Sequence, residues 1–485
     1  MSNAKKETIS GAKWGFLQKL TMQPLQLVYG MVLARLISPT EMGIVGLTAI
    51  FFAIAGQLAS SGFGAALVRK IDRTEADCST MFWFNVGMSF LVSLILFLLA
   101  PWFTQFYNQP ELLWLTRASA FNMFISSTAS VHWTLYQCRR DFKTPAIVSC
   151  ITSLAGMPVC LTLAWLGWGV WALMWQGLFT TLLSLAIIWS ISPWKPRLIF
   201  SMASFLEMFG FGSKLAASGI LHVFYQNART FIIGKFYSPA QLGLYNRGHH
   251  LAIVIPETLN GIIGSIIYPI LAPLQDNDAK LVQIYRKYIK ASTLVLAWFC
   301  MLMVALAKPT ILLCYGENWL PCAIYLQIIA LGVSTDHICS INLNLLMVKG
   351  RSDLFLRLEI IKKSISLALM IYAATISVEA ICWAITIYIQ IAIFINTYYS
   401  KKILNLGWWA QQKDYLPYVL LSAIACVPAW LCTLLEWPAL LQLVVGGSCA
   451  FLLYFGYLHM RKDATYVELY NIARESKWGR WLPAI

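Results

Sequence analysis

Charged side chains are scarce in this sequence of 485 residues, which is 12% charged and 59% hydrophobic. Soluble domains usually contain about 25% charged residues, and a soluble core of ordinary size could not bury so many apolar side chains. Apolar runs of roughly twenty residues, the length that crosses a bilayer, recur along the whole chain. The composition therefore predicts an all-α polytopic membrane protein.

Catalytic and cofactor-binding motifs are also absent. The sequence contains no G-x-x-x-x-G-K-[ST] phosphate loop, no H-E-x-x-H zinc motif and no G-x-S-x-G nucleophile motif. The predicted external connectors are short, and no polar segment is long enough to form a separate enzyme domain. We therefore expect a protein that is not an enzyme and that uses no cofactor and no metal.

Cysteines with the spacing of a metal site or a redox motif are missing too. The 12 cysteines are scattered, mostly inside apolar runs, and none forms a C-x-x-C. We interpret them as small apolar residues. Cys314 and Cys322 are the one pair placed to meet near the outer face, and the sequence leaves open whether they form a disulfide.

Basic residues gather in alternate connectors between the apolar runs, and the formal net charge is +15. By the positive-inside rule, this alternation predicts about fourteen transmembrane helices with both termini in the cytoplasm. The first helix, from about residue 11 to 36, has no cleavage site after it, so we expect it to remain in the mature protein. Topology explains the positive charge, and no nucleic-acid partner is needed.

A short motif occurs twice in the chain. Residues 37–44 (ISPTEMGI) match residues 237–244 (YSPAQLGL) at an offset of 200 positions, and Gln26 and Arg35 fall on Gln226 and Lys235. Ser-Pro turns are common between membrane helices, but these matches extend into both flanking helices. We therefore infer an internal duplication of six helices, in which the repeats share one orientation and are related by an axis along the membrane normal.

A proline-punctuated basic stretch at residues 193–197 marks the boundary between the repeats. The predicted organisation is a six-helix bundle over 1–192, a cytoplasmic linker over 193–199, a second six-helix bundle over 200–400, two additional peripheral helices over 401–460 and a cytoplasmic tail over 461–485. The two additional helices have no counterpart in the duplication.

Polar side chains follow one face of the seventh predicted helix. Lys214, Ser218, His222, Tyr225 and Arg229 are spaced by three or four residues, which places them along one helix face. Further candidate residues are Lys19, Gln23 and Gln26 on helix one and Asn246 and Arg247 on helix eight. A cation inside a bilayer costs several kcal/mol unless it has a function or a partner. The small residues 60–66 should also let helix two approach a neighbour closely.

The candidate residues suit an anionic, hydroxyl-rich solute. Lys and Arg bind phosphate or diphosphate, whereas Gln, Asn, Ser and Tyr hydrogen-bond to sugar hydroxyls. The alternative for cations near helix ends, such as Arg35 and Lys235, is that they simply extend to the interface. Acidic and imidazole side chains inside the membrane suggest ion coupling, and our candidates are Asp336, Glu257 and His250.

Several of these stretches carry a family resemblance. Residues 11–14 (GAKW) and 33–39 (LARLISP), the run 61–70 (SGFGAALVRK), and residues 232–235 (IIGK) with 238–247 (SPAQLGLYNR) resemble the Wzx-type flippases of the multidrug/oligosaccharidyl-lipid/polysaccharide superfamily. Related lipid II flippases use arginines on the first helix, where this sequence offers Lys13 and Lys19. Headgroup contacts therefore do not transfer residue by residue.

The resemblance implies two six-helix bundles around a cationic cavity, in the inner membrane of a bacterium. Its substrate would be undecaprenyl-diphosphate-linked oligosaccharide, moved from the cytoplasmic to the outer leaflet. Membrane lipid, a proton or sodium ion, and polysaccharide polymerase machinery are the expected partners.

Three other functions compete with this interpretation. A cation-coupled multidrug exporter of the same superfamily should have an acidic and aromatic cavity, whereas the predicted cavity is basic. A glycan polymerase or ligase should have larger external loops. A membrane scaffold that transports nothing leaves the polar helix faces without a purpose.

Overall fold

The computed structural model describes residues 18, 21–60 and 62–475, which are helical apart from turns and short connectors. The helices are α1 (21–36), α2 (Pro39–Ser60), α3 (Phe63–Arg69), α4 (Glu75–Tyr107), α5 (Leu112–Ser127), α6 (Ser130–Cys138), α7 (Lys143–Trp165), α8 (Val170–Ile191), α9 (Met202–Phe236), α10 (Pro239–Leu271), α11 (Asp278–Ala305), α12 (Ala307–Cys314), α13 (Ala323–Val333), α14 (His337–Val348), α15 (Ser352–Ala373), α16 (Val378–Leu404), α17 (Trp408–Ala425), α18 (Val427–Cys432), α19 (Ala439–Met460) and α20 (Ala464–Glu475). Within these residues there is no strand, so the all-α prediction is confirmed.

Within the described residues, 9 helical segments are long and apolar enough to cross a membrane. They are Pro39–Arg69, Glu75–Tyr107, Lys143–Trp165, Val170–Ile191, Asp278–Ala305, Glu317–Val348, Val378–Leu404, Trp408–Cys432 and Ala439–Met460. The other predicted crossings include α9, α10 and α15, which are long helices with several polar side chains. The total of about fourteen crossings stays a prediction.

Contacts within the chain define two compact units, Met1–Gly243 and Leu244–Ile485. In the first unit, α9 packs against α2, α3 and α4, although the duplication predicts it as the first helix of the second bundle. In the second unit, α11 packs against α13 and α17, and α16 packs against α13 and α15. The bundle boundaries inferred from the sequence stay predictions.

The predicted linker at 193–199 lies against the start of α4. The Trp194 indole N–H donates to Glu75 Oε1 at 2.9 Å, and the backbone N–H of Arg197 donates to Ser79 Oγ at 3.3 Å. The Arg197 carbonyl in turn accepts a hydrogen bond of 2.8 Å from the Trp83 indole. These bonds hold the linker in a fixed path within the first unit.

Lys70 ties the end of α3 to α4 and α9. Its ammonium group lies 3.1 Å from Asp77 Oδ1 and 2.8 Å from Glu207 Oε2. The hydrogen bonds to Glu207 and then to Asp77 raise the pKa of Lys70 above its ordinary value. Lys70 therefore stays charged at neutral pH and crosslinks these helices electrostatically.

A buried polar layer joins α17 to the second unit. The side chain of Asp414 is 1% exposed and accepts two hydrogen bonds from the Arg286 guanidinium, at 2.7 and 2.9 Å. Gln411, one turn earlier, exchanges hydrogen bonds with the Asn342 side-chain amide at 2.9 and 3.1 Å. Gln411 and Asn342 are both buried, and removing Asn342 would take away the hydrogen bond that Gln411 Oε1 accepts. The additional helix α17 is therefore firmly attached to its unit.

The disulfide that the sequence left open is not formed. Cys314 and Cys322 are free thiols, as are the other ten cysteines. Cys322 is fully buried in the second unit, and Cys314 is partly exposed.

The two copies of the duplicated motif meet in the first unit. A Cβ atom added to Gly43 would lie 1.7 Å from the carbonyl oxygen of Pro239, and one added to Gly243 would lie 1.9 Å from that of Pro39. Positions 39 and 43 correspond to 239 and 243 in the duplication. The starts of α2 and α10 thus touch backbone to backbone, and only glycine fits at either contact.

We expect Gly43→Val to destabilise the protein by roughly 1–3 kcal/mol, because the valine must push two backbones apart. Gly87→Val is the matched control, since Gly87 is also helical and nothing lies within 4 Å of its added Cβ. Thermal unfolding in detergent measures the difference. Equal unfolding midpoints for the two variants would contradict the close backbone contact at Gly43.

Candidate functional site

One side of α9 is its packing face. Small or apolar residues on this side are buried, and they are Ser204, Met208, Gly212, Ala216, Ala228 and Ile232. Their spacing of about four residues follows one helix face and directs it toward α2, α3 and α4. The helix therefore has a fixed rotation, which determines where its polar residues lie.

Glycines let α9 approach α2 and α3 closely. A Cβ on Gly62 would lie 2.3 Å from the Gly212 carbonyl oxygen, and a Cβ on Gly219 would lie 2.1 Å from the Gln57 amide nitrogen. The close helix approach predicted from the small residues 60–66 is confirmed at Gly62.

The predicted polar stripe lies on accessible surface of α9. Lys214, Ser218 and His222 are exposed, and Tyr225 and Arg229 are half-buried. The N-terminal part of the stripe, from Lys214 to His222, thus presents an ammonium, a hydroxyl and an imidazole along about two helical turns. This row can bind an elongated anionic or hydroxylated solute, and binding would not disturb the side chains on the packing face of α9.

Helix α1 contributes the other predicted residues of the first unit. Gln23 is half-buried and Gln26 is exposed, whereas Lys19 lies outside the described residues. A neighbouring residue fixes the helix, since the Tyr29 hydroxyl donates to Gln176 Oε1 on α8 at 2.6 Å.

The predicted residues of α10 lie in the second unit. The Arg247 guanidinium carbon lies 5.7 Å from the centre of the Tyr315 ring and 5.8 Å from that of Trp319, which is cation–π geometry. Asn246 is half-buried, and His250 and Glu257 are exposed. Arg247 is therefore already engaged by aromatic side chains, a contact that no pattern in the sequence predicts.

The candidate span Glu317–Val348 is interrupted at Asp336. The helix α13 ends at Val333, α14 begins at His337, and the backbone N–H of Asp336 bonds to Val333 O at 3.2 Å, three residues back. Such a tightened turn inside a transmembrane helix often marks a hinge or an ion site. The Gln390 amide on α16 donates to the adjacent Thr335 hydroxyl at 2.8 Å.

His337, next to Asp336, has a partner on another helix. Its imidazole Nε2 lies 2.8 Å from the Thr293 hydroxyl of α11, and the residue is 1% exposed. Of the further polar residues of α14, Ser340 is exposed and Asn344 is half-buried. The structure therefore does not gather these side chains on one surface.

Two charged residues of the second unit were missed by the sequence reasoning. Lys362 Nζ lies 2.6 Å from Glu359 Oε1, and the lysine side chain is only 4% exposed. The signal was present, because both charges fall inside an apolar helix, α15. Among the described residues, no group of three His, Cys, Asp or Glu side chains could hold a metal ion.

Comparison with known proteins identifies similar sequences. A family model described as "Polysaccharide biosynthesis protein" matches residues 32–324. The lipopolysaccharide biosynthesis protein WzxC of Escherichia coli (strain K12) is 24% identical over 364 residues, which cover 74% of this chain and 73% of WzxC. The teichuronic acid biosynthesis protein TuaB of Bacillus subtilis (strain 168) is 22% identical over 356 residues, covering 73% of this chain and 74% of TuaB.

Solved structures share the fold. The lipid II flippase MurJ in an inward closed conformation superposes with a TM-score of 0.70 at 12% identity, covering 94% of this chain and 100% of that chain. An inward-facing multidrug resistance transporter of the MATE family superposes with a TM-score of 0.59 at 16% identity, covering 82% of this chain and 96% of that chain. At these identities the likeness concerns the fold alone.

The polar face of α9 should be reachable from water. We expect Ser218→Cys to react with a membrane-impermeant maleimide and to gain one label over the wild-type protein, because Ser218 is exposed beside other polar groups. Ala216→Cys is the matched control on the packing face of the same helix, where Ala216 is 8% exposed. If neither variant gains label, the stripe faces lipid and is not a binding surface.

Proposed function

The chain belongs to the polysaccharide biosynthesis protein family, and from this membership we propose that it is a flippase for lipid-linked oligosaccharides, a transporter and not an enzyme. Its substrate is an oligosaccharide repeat unit on undecaprenyl diphosphate, carried from the cytoplasmic to the outer leaflet for cell-surface polysaccharide synthesis. The observation that carries the proposal is the accessible basic and hydroxylated face of α9 in an otherwise apolar chain. The fold shared with the lipid II flippase MurJ supports it.

The α9 face supplies the two kinds of contact that such a substrate needs. Lys214 and Arg229 bind the diphosphate, because charge-assisted hydrogen bonds to phosphate are the strongest that side chains form. His222 and Tyr225 bind sugar hydroxyls. Further contacts in this proposal come from Lys19, Gln23 and Gln26, and from Asn246 and Arg247.

The membrane potential favours export of an anion. A negative charge that moves outward across an inside-negative membrane gains about 2.3 kcal/mol per 100 mV. Inward exchange of a proton or sodium ion adds to this driving force, and our coupling candidates are Asp336, Glu257 and His250. The interrupted helix at Asp336 supports the first of these. We propose that transport proceeds by alternating access.

The proposed location is the bacterial inner membrane, with both termini in the cytoplasm. The basic connectors support this orientation. Membrane lipid surrounds the helices, and the polysaccharide polymerase that uses the exported unit is the proposed protein partner.

A multidrug exporter is the second candidate, because a MATE transporter shares the fold. Exporters of cationic drugs need acidic side chains, whereas the α9 stripe has Lys214, His222 and Arg229 and no carboxylate. The charge of this face therefore favours the flippase.

We expect Arg229→Ala to cause lipid-linked oligosaccharide to accumulate in the cytoplasmic leaflet at normal protein levels, because a phosphate contact is lost. The leaflet distribution in cells measures this effect. Lys235→Ala is the control on the same helix, since the Lys235 ammonium is already bonded to the Phe106 carbonyl at 3.2 Å and lies over the Phe106 ring.

Deletion of the gene gives the reference for complete loss of transport. A deletion that leaves the lipid-linked pool unchanged but alters efflux of cationic drugs would replace the flippase with the exporter.

A further inference from the structure

The ion pair of Lys362 and Glu359 lies deep within the second unit. Lys362 is ten residues from the start of α15, which places it about 15 Å along the helix. The sequence predicts α15 as a crossing, and at that depth the pair would lie near the middle of a bilayer. The lysine side chain is 4% exposed, whereas that of Glu359 is 24% exposed. The ammonium is thus shielded, while its carboxylate partner can still be reached.

The surroundings of the pair are polar but incompletely bonded. The helix that carries the pair, α15, packs against α14 and α16, and Asp336 directly precedes α14. The Asn396 amide nitrogen donates to the Cys339 carbonyl at 3.5 Å, but Asn396 Oδ1 is buried and accepts no hydrogen bond. A buried acceptor without a hydrogen-bond partner needs an explanation, and a site that rearranges or takes a ligand is one.

A purely structural ion pair would not be expected here. Pairs three residues apart contribute only a few tenths of a kcal/mol on a helix surface, and a buried pair costs more in desolvation than an apolar pair of similar volume. The neighbours of Lys362 on the buried side of α15 are Leu358 and Ser366, so an apolar residue would fit the same stripe. The charges are therefore better explained by a function.

We propose that Glu359, Lys362 and Asp336 form the ion-coupling site and that the coupling ion is a proton, not sodium. This inference rests on the proposed flippase function and deepens it. A sodium ion beside Glu359 would have to share the carboxylate with an ammonium 2.6 Å away, and the two cations would repel each other. A proton instead binds a carboxylate oxygen directly and needs no coordination shell.

The proposed step is a reversible protonation. A proton from the outer side forms an O–H bond on Glu359, which becomes a neutral acid, and no other bond breaks. The Lys362 ammonium then loses its charged partner, and Asp336 and Asn396 Oδ1, at α14 and on α16, are the proposed acceptors that replace it. Release of the proton to the cytoplasm restores the original pair. Protonation thereby changes the contacts between α15 and its two neighbours, α14 and α16.

Other titratable groups lie on α15 and on the helices that pack against it. From α14 and the turn before it these are Asp336, His337 and Cys339; α16 brings Tyr399, which packs beside Leu358, and α15 itself carries Lys363 and Arg357. Lys363 is 37% exposed and 3.6 Å from Glu359 Oε2. Lys363 therefore contacts the same Glu359 carboxylate as Lys362 but is not buried as Lys362 is.

Transport in liposomes tests the inference. The protein is reconstituted with the undecaprenyl-diphosphate-linked oligosaccharide extracted from the strain that expresses this protein. A sugar-oxidising reagent that does not cross the membrane then reports the ratio of substrate between the two leaflets. With the potential clamped, a gradient of about one pH unit should shift this ratio about tenfold if one proton is exchanged per substrate. A sodium gradient should have no effect.

Variants separate coupling from structure. Lys362→Met and Glu359→Gln should lose the pH response, measured relative to each variant's own transport without a gradient, whereas Lys363→Met should keep it. If the ion pair is only structural, the double variant Lys362→Met/Glu359→Gln should recover both the protein yield and the pH response of the wild type. The inferred role predicts that only the yield returns.

Two results would overturn the inference: a response to sodium but not to pH in the wild type, or a tenfold pH response in Lys362→Met. Absence of transport under every condition would instead refute the proposed flippase function.

Discussion

The low polarity of the membrane interior is the constraint on which the structure of this protein depends. A charged or amide group inside the membrane must find a partner or serve a solute, because water is not available to it. Asp414 meets this requirement with Arg286, and Asn342 meets it with Gln411. The stripe on α9 is different, since Lys214 and His222 are on accessible surface. This contrast separates side chains that hold helices together from those that can bind substrate.

Close backbone contact is the second means by which the helices are joined. Between apolar helices in lipid, burial provides little driving force, so packing of small residues gains weight. The first unit uses glycine at the Gly62–Gly212 approach and again where Gly43 and Gly243 meet the backbones of Pro239 and Pro39. The duplicated motif is therefore placed where equivalent backbones touch. Its glycines are needed for proximity, and its prolines start the two helices.

Sequence periodicity was sufficient for part of this description. A spacing of three or four residues placed Lys214, Ser218 and His222 together, and the structure leaves all three exposed. Asp414 was missed because the polar residues around it in the sequence resemble a connector between helices. In the structure, α17 already begins at Trp408, and the Asp414 charge is neutralised by Arg286, which is distant in sequence. The burial of Lys362 likewise depends on α14 and α16, which no local pattern reveals. Partners far apart in sequence decide whether a charge is structural or accessible.

The proposed binding face and the proposed coupling site use different side chains, which limits how they can communicate. A proton on Glu359 does not compete with a diphosphate for Lys214 or Arg229, because these cations lie on α9 and not on α15. Coupling must then act through helix contacts, since a ligand shifts a conformational equilibrium only by binding one state better than another. The tightened turn at Asp336 and the open acceptor of Asn396 are the places we propose for such a change of contact. Outward movement of an anion and inward movement of a proton also gain energy from the same membrane potential, so the two ions drive transport in one direction.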